Sequence, residues 1–247
     1  GATPLERAAS GNHSKVAKLL LERGAHIDAQ SKYGHKLLYC VASGDYPEII
    51  RRLLERGANI HGESQFQDRS TLLHWAVRYG YPEIVGLLLE RDADIKAKDT
   101  DWRTPLHEAA ARDCIEMLEL LLDYMAARSQ LSHPQQQIHQ CSSFASWNSS
   151  SRSTLIPTLY KGINTKDIRG WTPLHYAADK GLTENIALLL ARKATIDCQN
   201  KAGDTPLHLA ASWGHTEAMK LLLEQGSNLQ LCNKQGKTPL MLAQEKQ

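Results

Sequence analysis

The stretch "TPLHYAADKGLTENIALLLARKA", residues 172–194, decides the fold because it predicts two short helices joined by a tight turn. Thr172 is favourable immediately before a helix, and Pro173 suits the first helical position, where its missing N–H costs no hydrogen bond. Ala177–Ala178 leaves a smooth face that another helix can approach closely. A second helix follows the glycine, and the triplet Leu188–Leu190 is predicted to be its buried face.

This pattern repeats along the chain at a spacing of about 33 residues, as from Thr172 to Thr205. Internal repeats at such a spacing are typical of solenoid architectures, in which each unit buries its apolar face against its neighbours. The one wide gap, from Thr104 to Thr172, equals two spacings plus two residues. The openings begin at Thr3, Lys36, Thr71, Thr104, Thr172, Thr205 and Thr238.

Openings such as "TPLHEA" at Thr104 and "TPLHLA" at Thr205, each followed by a leucine triplet, make the chain similar to the ankyrin-repeat family. The resemblance covers residues 1–122 as repeats one to four and residues 164–247 as repeats five to seven, the last one partial. It implies an all-α solenoid of stacked helix-turn-helix pairs with β-hairpin-like fingers. Stability is then expected to come from contacts between neighbouring repeats.

A Ser/Gln-rich stretch, residues 129–153, breaks the pattern inside the segment 123–163. One interpretation is an insertion after the second helix of repeat four. The other is a degenerate repeat that starts at His139, although Pro157 would then fall inside its second helix, where proline breaks the hydrogen-bond ladder. Its sparse apolar residues are candidates for contact with the stack or a partner. They are Leu131, Ile138, Phe144 and Trp147.

Some repeats depart from the common pattern. The repeat that begins at Lys36 lacks the usual Thr, Pro and His, and we expect it to be the least stable internal repeat. Trp102 stands where other fingers have a turn glycine. Residues that replace glycines expected at helix ends are Asp92, Asp113 and Lys193.

Bulk composition excludes several classes of function. With 247 residues and a formal net charge of +2, the chain has no electrostatic footprint for nucleic acid, and its apolar runs are too short for membrane insertion. Five widely spaced cysteines without a CxxC pair predict reduced thiols in the cytoplasm, or in a host cytosol or nucleus for a delivered effector. Because the chain begins at Gly1 rather than Met and repeat seven stops at Gln247 after its first helix, we expect it to be part of a longer protein.

Two sets of polar residues, which we call columns, recur at one position of successive repeats and could suggest a catalytic or metal-binding site. The histidines recur one repeat apart, about 10 Å, whereas zinc ligands lie about 2 Å from one ion, so the resemblance implies a structural hydrogen-bonding role. The glutamates fall in the first turn of each second helix, where the helix dipole favours a carboxylate. We therefore predict no enzyme activity, no cofactor and no metal. The columns are His74, His107, His175 and His208, and Glu48, Glu83, Glu116, Glu184 and Glu217. A further cluster, His133, His139 and Cys141, lacks a fourth ligand in register.

The resemblance places partner recognition on the fingers and on the exposed end of each first helix. Carried over by register, these positions are rich in Trp, Tyr and Arg, the residue types enriched at binding hot spots. The alternative for Trp171 and Trp213 is packing against neighbouring fingers. The candidate partner-binding residues are Tyr33, Phe66, Arg69, Arg78, Tyr79, Trp102, Arg103, Arg112, Arg169, Trp171 and Trp213.

These observations predict a non-catalytic, monomeric module that binds a peptide or folded protein partner on its concave face and fingers. One alternative is a targeting or substrate-recruiting arm of a larger multidomain enzyme or secreted effector, with the chemistry outside this chain. A second alternative is a structural spacer, whose concave face would tolerate substitution freely.

Overall fold

The computed structural model describes residues 3–26, 34–61, 66–130 and 162–245. These residues form thirteen helices and no strand, so the predicted all-α fold class is confirmed. The chain divides into two compact units, Gly1–Thr100 and Asp101–Gln247. Within the described residues, no helix has the length and apolar character needed to cross a bilayer.

Unit 1 consists of three helix pairs in which each first helix packs on the second helix of its own pair. Contacts between α1 and α3, α3 and α5, and α4 and α6 join the pairs into a stack. The helices are α1 (Pro4–Ser10), α2 (Ser14–Glu22), α3 (Gly34–Ser43), α4 (Pro47–Glu55), α5 (Leu72–Tyr79) and α6 (Pro82–Glu90).

Unit 2 repeats the same arrangement and ends in a single helix that packs on the first helix of the preceding pair. Its helices are α7 (Pro105–Ala110), α8 (Ile115–Gln130), α9 (Pro173–Asp179), α10 (Thr183–Ala191), α11 (Pro206–Ser212), α12 (Thr216–Glu224) and α13 (Pro239–Gln244).

The first helices begin where the sequence predicts. Thr172 is the N-cap of α9 with an extended backbone, and Pro173 occupies the first turn. The second helices begin differently, because Tyr46 and Tyr81 precede α4 and α6 without any capping hydrogen bond from their side chains. A proline and a glutamate stand in the first turn of each of these two helices instead, which confirms the predicted position of the glutamate column at helix starts.

The prediction that each whole leucine triplet is buried is wrong. Of the triplet in α10, Leu189 alone is fully buried, and in α12 Leu222 is buried while Leu223 is 39% exposed. The reason is helical geometry: successive residues are about 100° apart around the axis, so three in a row cannot all face the core. The alanine faces agree better with prediction, since Ala177 and Ala178 are fully buried.

The two repeats that flank the Ser/Gln-rich stretch contact each other directly. Helix α7 packs on α9 and α8 packs on α10. The Asn185 side chain in α10 donates hydrogen bonds to the carbonyl oxygens of Ala110 (3.2 Å) and Arg112 (2.7 Å). Helix α8 continues to Gln130, past the boundary predicted at Leu122. The predictions for residues 131–161 and for Tyr33 lie outside the described residues.

Two of the residues predicted in place of glycine adopt the left-handed backbone conformation that glycine favours. Asp92 has φ 60° and Lys193 has φ 66°, each directly after a second helix. Asp113, which follows α7 in the register of Gly181 and Gly214, is not among the residues with positive φ. The turn from α7 to α8 therefore follows a different backbone path from the turns after α9 and α11.

Candidate partner-binding surface

In unit 2 a buried histidine ties the start of each of three repeats to the next finger, the loop that precedes the following Thr opening. In α9 the ring Nδ1 of His175 accepts a hydrogen bond from the backbone N–H of Thr172 (3.1 Å) and lies 2.8 Å from its hydroxyl oxygen. Because Nδ1 accepts, Nε2 carries the ring hydrogen and donates to the Asp204 carbonyl at 3.1 Å. Burial lowers the pKa of His175 to about 4, so the ring is neutral at pH 7.

The same link recurs in the neighbouring repeats of unit 2. Nε2 of His107 lies 3.0 Å from the Thr165 carbonyl, and Nε2 of His208 lies 3.1 Å from the Lys237 carbonyl. In unit 1 the Nδ1 atom of His74 accepts from the backbone of Thr71. The predicted structural role of the histidine column is therefore confirmed. In the described ranges no group of three or more metal-ligating side chains is found.

An Asp or Asn side chain shapes each complete finger of unit 2. Asp167 Oδ1 accepts hydrogen bonds from the backbone N–H groups of Arg169 (2.8 Å) and Trp171 (2.7 Å). Asn200 and Asn233 make the corresponding pairs of bonds in the next two fingers. Such side-chain-to-backbone bonds stabilise tight turns. These residues are not among those predicted from the sequence, although Asp or Asn recurs five residues before the Thr of each following repeat.

Successive fingers of unit 2 are hydrogen-bonded through their backbones. Lys201 N donates to Arg169 O at 2.9 Å, and Lys234 N donates to Ala202 O at 2.9 Å. Gly170 has φ 79°, and a Cβ there would lie only 2.8 Å from the Lys201 nitrogen, so the close approach also requires glycine. We call residues 101–103, 164–171, 199–204 and 232–237 the finger edge of unit 2.

Trp102 has the backbone conformation of the glycines it replaces. Its φ is 63°, and the equivalent Gly170, Gly203 and Gly236 have φ between 73° and 84°. Left-handed backbone is unfavourable for a bulky residue, so this position carries conformational strain. The Trp102 side chain is 56% exposed. Arg69, at the same position of its own finger in unit 1, has φ 54° and is also exposed.

Arg169 stacks on Trp171 and also contacts Tyr176. The Arg169 guanidinium lies over the Trp171 ring, 4.3 Å from its centroid, and donates a 3.1 Å hydrogen bond to the Tyr176 hydroxyl. That hydroxyl donates to the buried carboxylate of Asp167 at 2.8 Å. Burial, with the Asp167 hydrogen bond, raises the pKa of Tyr176 to about 12. Trp171 is half-buried by this packing within its own finger and repeat, whereas the Arg169 side chain stays 57% exposed.

Trp213 is exposed and yet fixed in place. Its side chain is 57% exposed, and its indole N–H donates a 2.7 Å hydrogen bond to Asp179 Oδ1 of the preceding repeat. Nε2 of His215 lies 2.9 Å from the Asp179 carbonyl, and Lys180 Nζ lies 3.3 Å from Asp179 Oδ2. Contacts within unit 2 thus orient a large aromatic surface that still faces solvent.

The other arginines of unit 2 differ in exposure. Arg103 is half-buried, with Nη2 lying 3.6 Å from Asp101 Oδ2 and 3.7 Å from Glu108 Oε1. Arg112 is exposed at the end of the first helix of its repeat. Its carbonyl accepts the Asn185 hydrogen bond described above, so the backbone beneath this side chain is fixed.

In unit 1 two candidate residues serve internal contacts, and Tyr79, like Arg69, remains exposed. Arg78 donates to Asp68 Oδ2 at 3.0 Å; although burial alone would raise the pKa of Asp68, hydrogen bonds from Ser70 and Arg78 lower it to about 2. Phe66 packs edge-on against Tyr39 with ring centroids 4.9 Å apart. Tyr79 is 54% exposed.

The described candidate residues therefore fall into two groups. Six keep a large exposed surface, and four are half-buried in contacts within their own unit. The exposed group is Arg69, Tyr79, Trp102, Arg112, Arg169 and Trp213. The half-buried group is Phe66, Arg78, Arg103 and Trp171. Exposed lysines on the finger edge are not among the predicted residues, because only Trp, Tyr and Arg were chosen there. The repeat register alone would have placed these lysines on the finger edge.

Comparison with known proteins agrees with this architecture. A family model described as ankyrin repeats (three copies) matches residues 37–132 and 183–247, and a model for ankyrin repeats (many copies) matches residues 5–54. The human transient receptor potential cation channel subfamily A member 1 is 28% identical over 197 residues. That alignment covers 77% of this chain but only 17% of the channel. The chain thus corresponds to a small part of this relative.

Proposed function

Since this chain belongs to the ankyrin-repeat family, whose all-α repeats are generally protein–protein interaction modules, we propose that it is a non-catalytic module that binds a peptide or folded protein on its fingers and first-helix ends. The observation that carries the proposal is Trp213, a solvent-facing indole oriented by the Asp179 carboxylate. A side chain already held in one position loses little conformational freedom on binding. Trp is also the residue type most enriched at binding hot spots.

The exposed group of candidate residues is proposed to make the main contacts, in each unit separately. In unit 2 these are Trp102, Arg112, Arg169 and Trp213, and in unit 1 Arg69 and Tyr79. The half-buried candidates are proposed to support this surface, as Trp171 does beneath the Arg169 guanidinium. Tyr33 remains a prediction from the sequence.

For the domain organisation we propose that the Ser/Gln-rich stretch is an insertion between two repeats that stack directly. The support comes from contacts across it: the hydrogen bond between His107 and the Thr165 carbonyl, and the bonds from Asn185 to the α7 repeat. A full degenerate repeat would have to stand between these partners. Cytoplasmic localisation and a monomeric state remain predictions from the sequence, as does the absence of nucleic-acid binding.

The alternative of a targeting arm for a larger enzyme or effector gains no support from the family matches or from the human channel. A structural spacer is separated from the proposed module by mutation, because a spacer tolerates changes at its exposed first-helix ends. The channel's own activity is not carried over to this chain.

Site-specific photocrosslinking tests the proposal. A photoreactive p-benzoylphenylalanine is placed at Lys180, beside Trp213, in one variant and at Lys220 on α12 in another, and each is illuminated in cell extract. We expect one protein to crosslink from position 180 and not from position 220. Equal labelling from both positions, or from neither, would contradict the proposed surface.

The crosslinked partner then provides a quantitative check. Trp213→Ala is expected to weaken its binding by about 2 kcal/mol, roughly 30-fold in Kd, because the indole is a fixed anchor. Trp213→Phe keeps an aromatic surface and serves as the matched control, with a smaller loss. Unchanged affinity in a folded Trp213→Ala variant would rule out Trp213 as an anchor.

A further inference from the structure

The finger edge of unit 2 has an excess of exposed positive charge. Six cationic side chains lie on it, against three aspartates, of which Asp167 is buried. Of the remaining two, Asp101 is exposed, and Asp204 is half-buried and accepts a 2.8 Å hydrogen bond from Asn233 Nδ2. The cationic residues are Arg103, Lys166, Arg169, Lys201, Lys234 and Lys237.

Three of these cations have a carboxylate nearby. Arg103 lies near Asp101 and Glu108, Lys237 Nζ lies 2.6 Å from Glu245 Oε2, and Arg169 Nε lies 3.7 Å from Asp167 Oδ2 while its side chain stays 57% exposed. Lys166, Arg169, Lys201 and Lys234 are exposed and occur on three consecutive fingers, and Lys166 Nζ donates to the Gln199 carbonyl at 2.7 Å. The row therefore presents positive charge along successive repeats, although the whole chain carries a net charge of only +2.

The spacing of the row matches that of an extended chain. Equivalent positions on stacked repeats are about 10 Å apart, and a peptide in the extended polyproline II conformation advances about 3.1 Å per residue with about three residues per turn. Carboxylates at every third residue would therefore lie on one side of the peptide and meet a cation on each finger. The backbone bonds between fingers, Lys201 N to Arg169 O and Lys234 N to Ala202 O, hold this spacing.

Trp102 adds an apolar contact at the first finger of the row. It keeps more than half of its surface exposed while holding the left-handed backbone that three other fingers give to glycine. Glycine would relieve the strain, and a bulky aromatic residue would not be needed for the turn. Strained positions of this kind occur preferentially at ligand-contacting sites.

We propose that the finger edge of unit 2 binds an extended acidic peptide segment, with carboxylates about three residues apart facing the cations and an apolar side chain against Trp102. The proposal rests on the proposed function and gives the partner's chemistry. A peptide is favoured over a nucleic acid because the charge forms one short row on an otherwise nearly neutral protein.

Selection from a random peptide library tests the proposal. Peptides of about 12 residues, long enough to cross three fingers, are displayed and selected on the immobilised full chain. We expect enriched sequences to combine Asp or Glu at a spacing of three with an apolar residue. Enrichment of neutral or basic peptides, or no enrichment, would overturn the proposal.

The affinity of an enriched, fluorescein-labelled peptide is then measured by anisotropy. Lys201→Glu with Lys234→Glu is expected to weaken it by about tenfold or more at low salt, and added salt should reduce this difference. Lys220→Glu on α12 changes charge away from the finger edge and should leave Kd within about twofold. A double variant that binds as the parent does would refute the charge complementarity.

Two further measurements test the apolar contact at Trp102 and compare the peptide with a nucleic acid. Trp102→Gly should weaken peptide binding by about tenfold while keeping the fold, since glycine serves this position in three other fingers. A single-stranded DNA of equal charge should bind more weakly than the peptide, and tighter DNA binding would overturn the proposal. If acidic peptides fail while Lys180 photocrosslinking still captures a partner, only the partner chemistry is wrong; if both fail, the proposed function is wrong as well.

Discussion

Both the repeat that begins at Lys36 and the repeat that begins at Thr205 are joined to the following finger, but by different chemistry. In the latter, His208 reaches the following finger through a hydrogen bond to the Lys237 carbonyl. In the former, Tyr39 occupies the histidine position and reaches the following finger through ring packing on Phe66. The Phe66 position carries Asp or Asn in the fingers of unit 2. The same kind of junction is therefore polar in one repeat and aromatic in the other.

In these two repeats the residues at the two positions differ together, since His208 is followed by a finger with Asn233 and Tyr39 by a finger with Phe66. The Asn233 side chain accepts hydrogen bonds from the backbone of its finger, which a phenyl ring cannot do. The helix pairs pack in both repeats, because packing depends on buried apolar residues such as Leu38 and Leu207. The contact between a first helix and the following finger adds to this packing, and its chemistry differs between repeats.

The largest effect is expected from removing the aromatic link. Tyr39 is 3% exposed, so Tyr39→Ala leaves a cavity next to Phe66 and should lower the free energy of unfolding by about 4 kcal/mol. Urea denaturation measures the change. Tyr39→Phe keeps the ring and should cost about 1 kcal/mol or less. A similar loss in both variants would show that the hydroxyl, not the ring packing, forms the link.

Removing the polar link should cost somewhat less. His175→Ala leaves the Thr172 backbone N–H and the Asp204 carbonyl without their buried partner, and we expect a loss of about 3 kcal/mol in urea denaturation. Thr195→Ala, at an exposed position of the same repeat, is the control and should change stability little. A loss below about 1 kcal/mol would place the stabilisation in helix packing rather than in the link.

The polar link should also make stability depend on pH, unlike the aromatic link. The folded pKa of His175 is about 4, below its ordinary 6.5, so the unfolded chain binds more protons between these values. The contribution is complete above pH 6.5 and is lost as pH falls towards 4. Between pH 7.5 and 5 we expect a loss of about 2 kcal/mol from this residue.

Denaturation curves at these two pH values, on the parent and on His175→Gln, measure that loss. The glutamine variant should show a pH dependence smaller by about the same amount, whereas Tyr39→Phe should keep the full dependence. Identical pH profiles for the parent and His175→Gln would show that other groups carry the effect.

The smallest effect is expected at Trp102, and it shows whether this residue stabilises the fold or serves only as an exposed surface. Trp102→Gly should raise the free energy of unfolding by about 1 kcal/mol by relieving the left-handed backbone. The reverse change at a matched finger, Gly170→Ala, should lower stability, because the added Cβ meets the Lys201 nitrogen at 2.8 Å. Thermal unfolding measures both. A drop in Tm for Trp102→Gly would indicate that the ring stabilises its own finger.

Much of the fold could be predicted from local sequence patterns. Thr172 and Pro173 predict the start of α9 because capping involves residues only three positions apart. The left-handed backbone at Trp102 follows from its register with the turn glycines. Failures came where orientation around a helix mattered, as at Leu223, because a run of apolar letters does not say which of them faces the core.

By itself, the sequence determined the repeat, its period, the helix starts and the histidine role, since each depends on neighbours within one repeat or on exact recurrence. Only the tertiary structure decided which aromatic residues serve packing and which face solvent. Tyr39 with Phe66 and Trp213 with Asp179 pair across repeats, at separations of 27 and 34 residues. Stacking brings such residues together, and no local propensity encodes that contact.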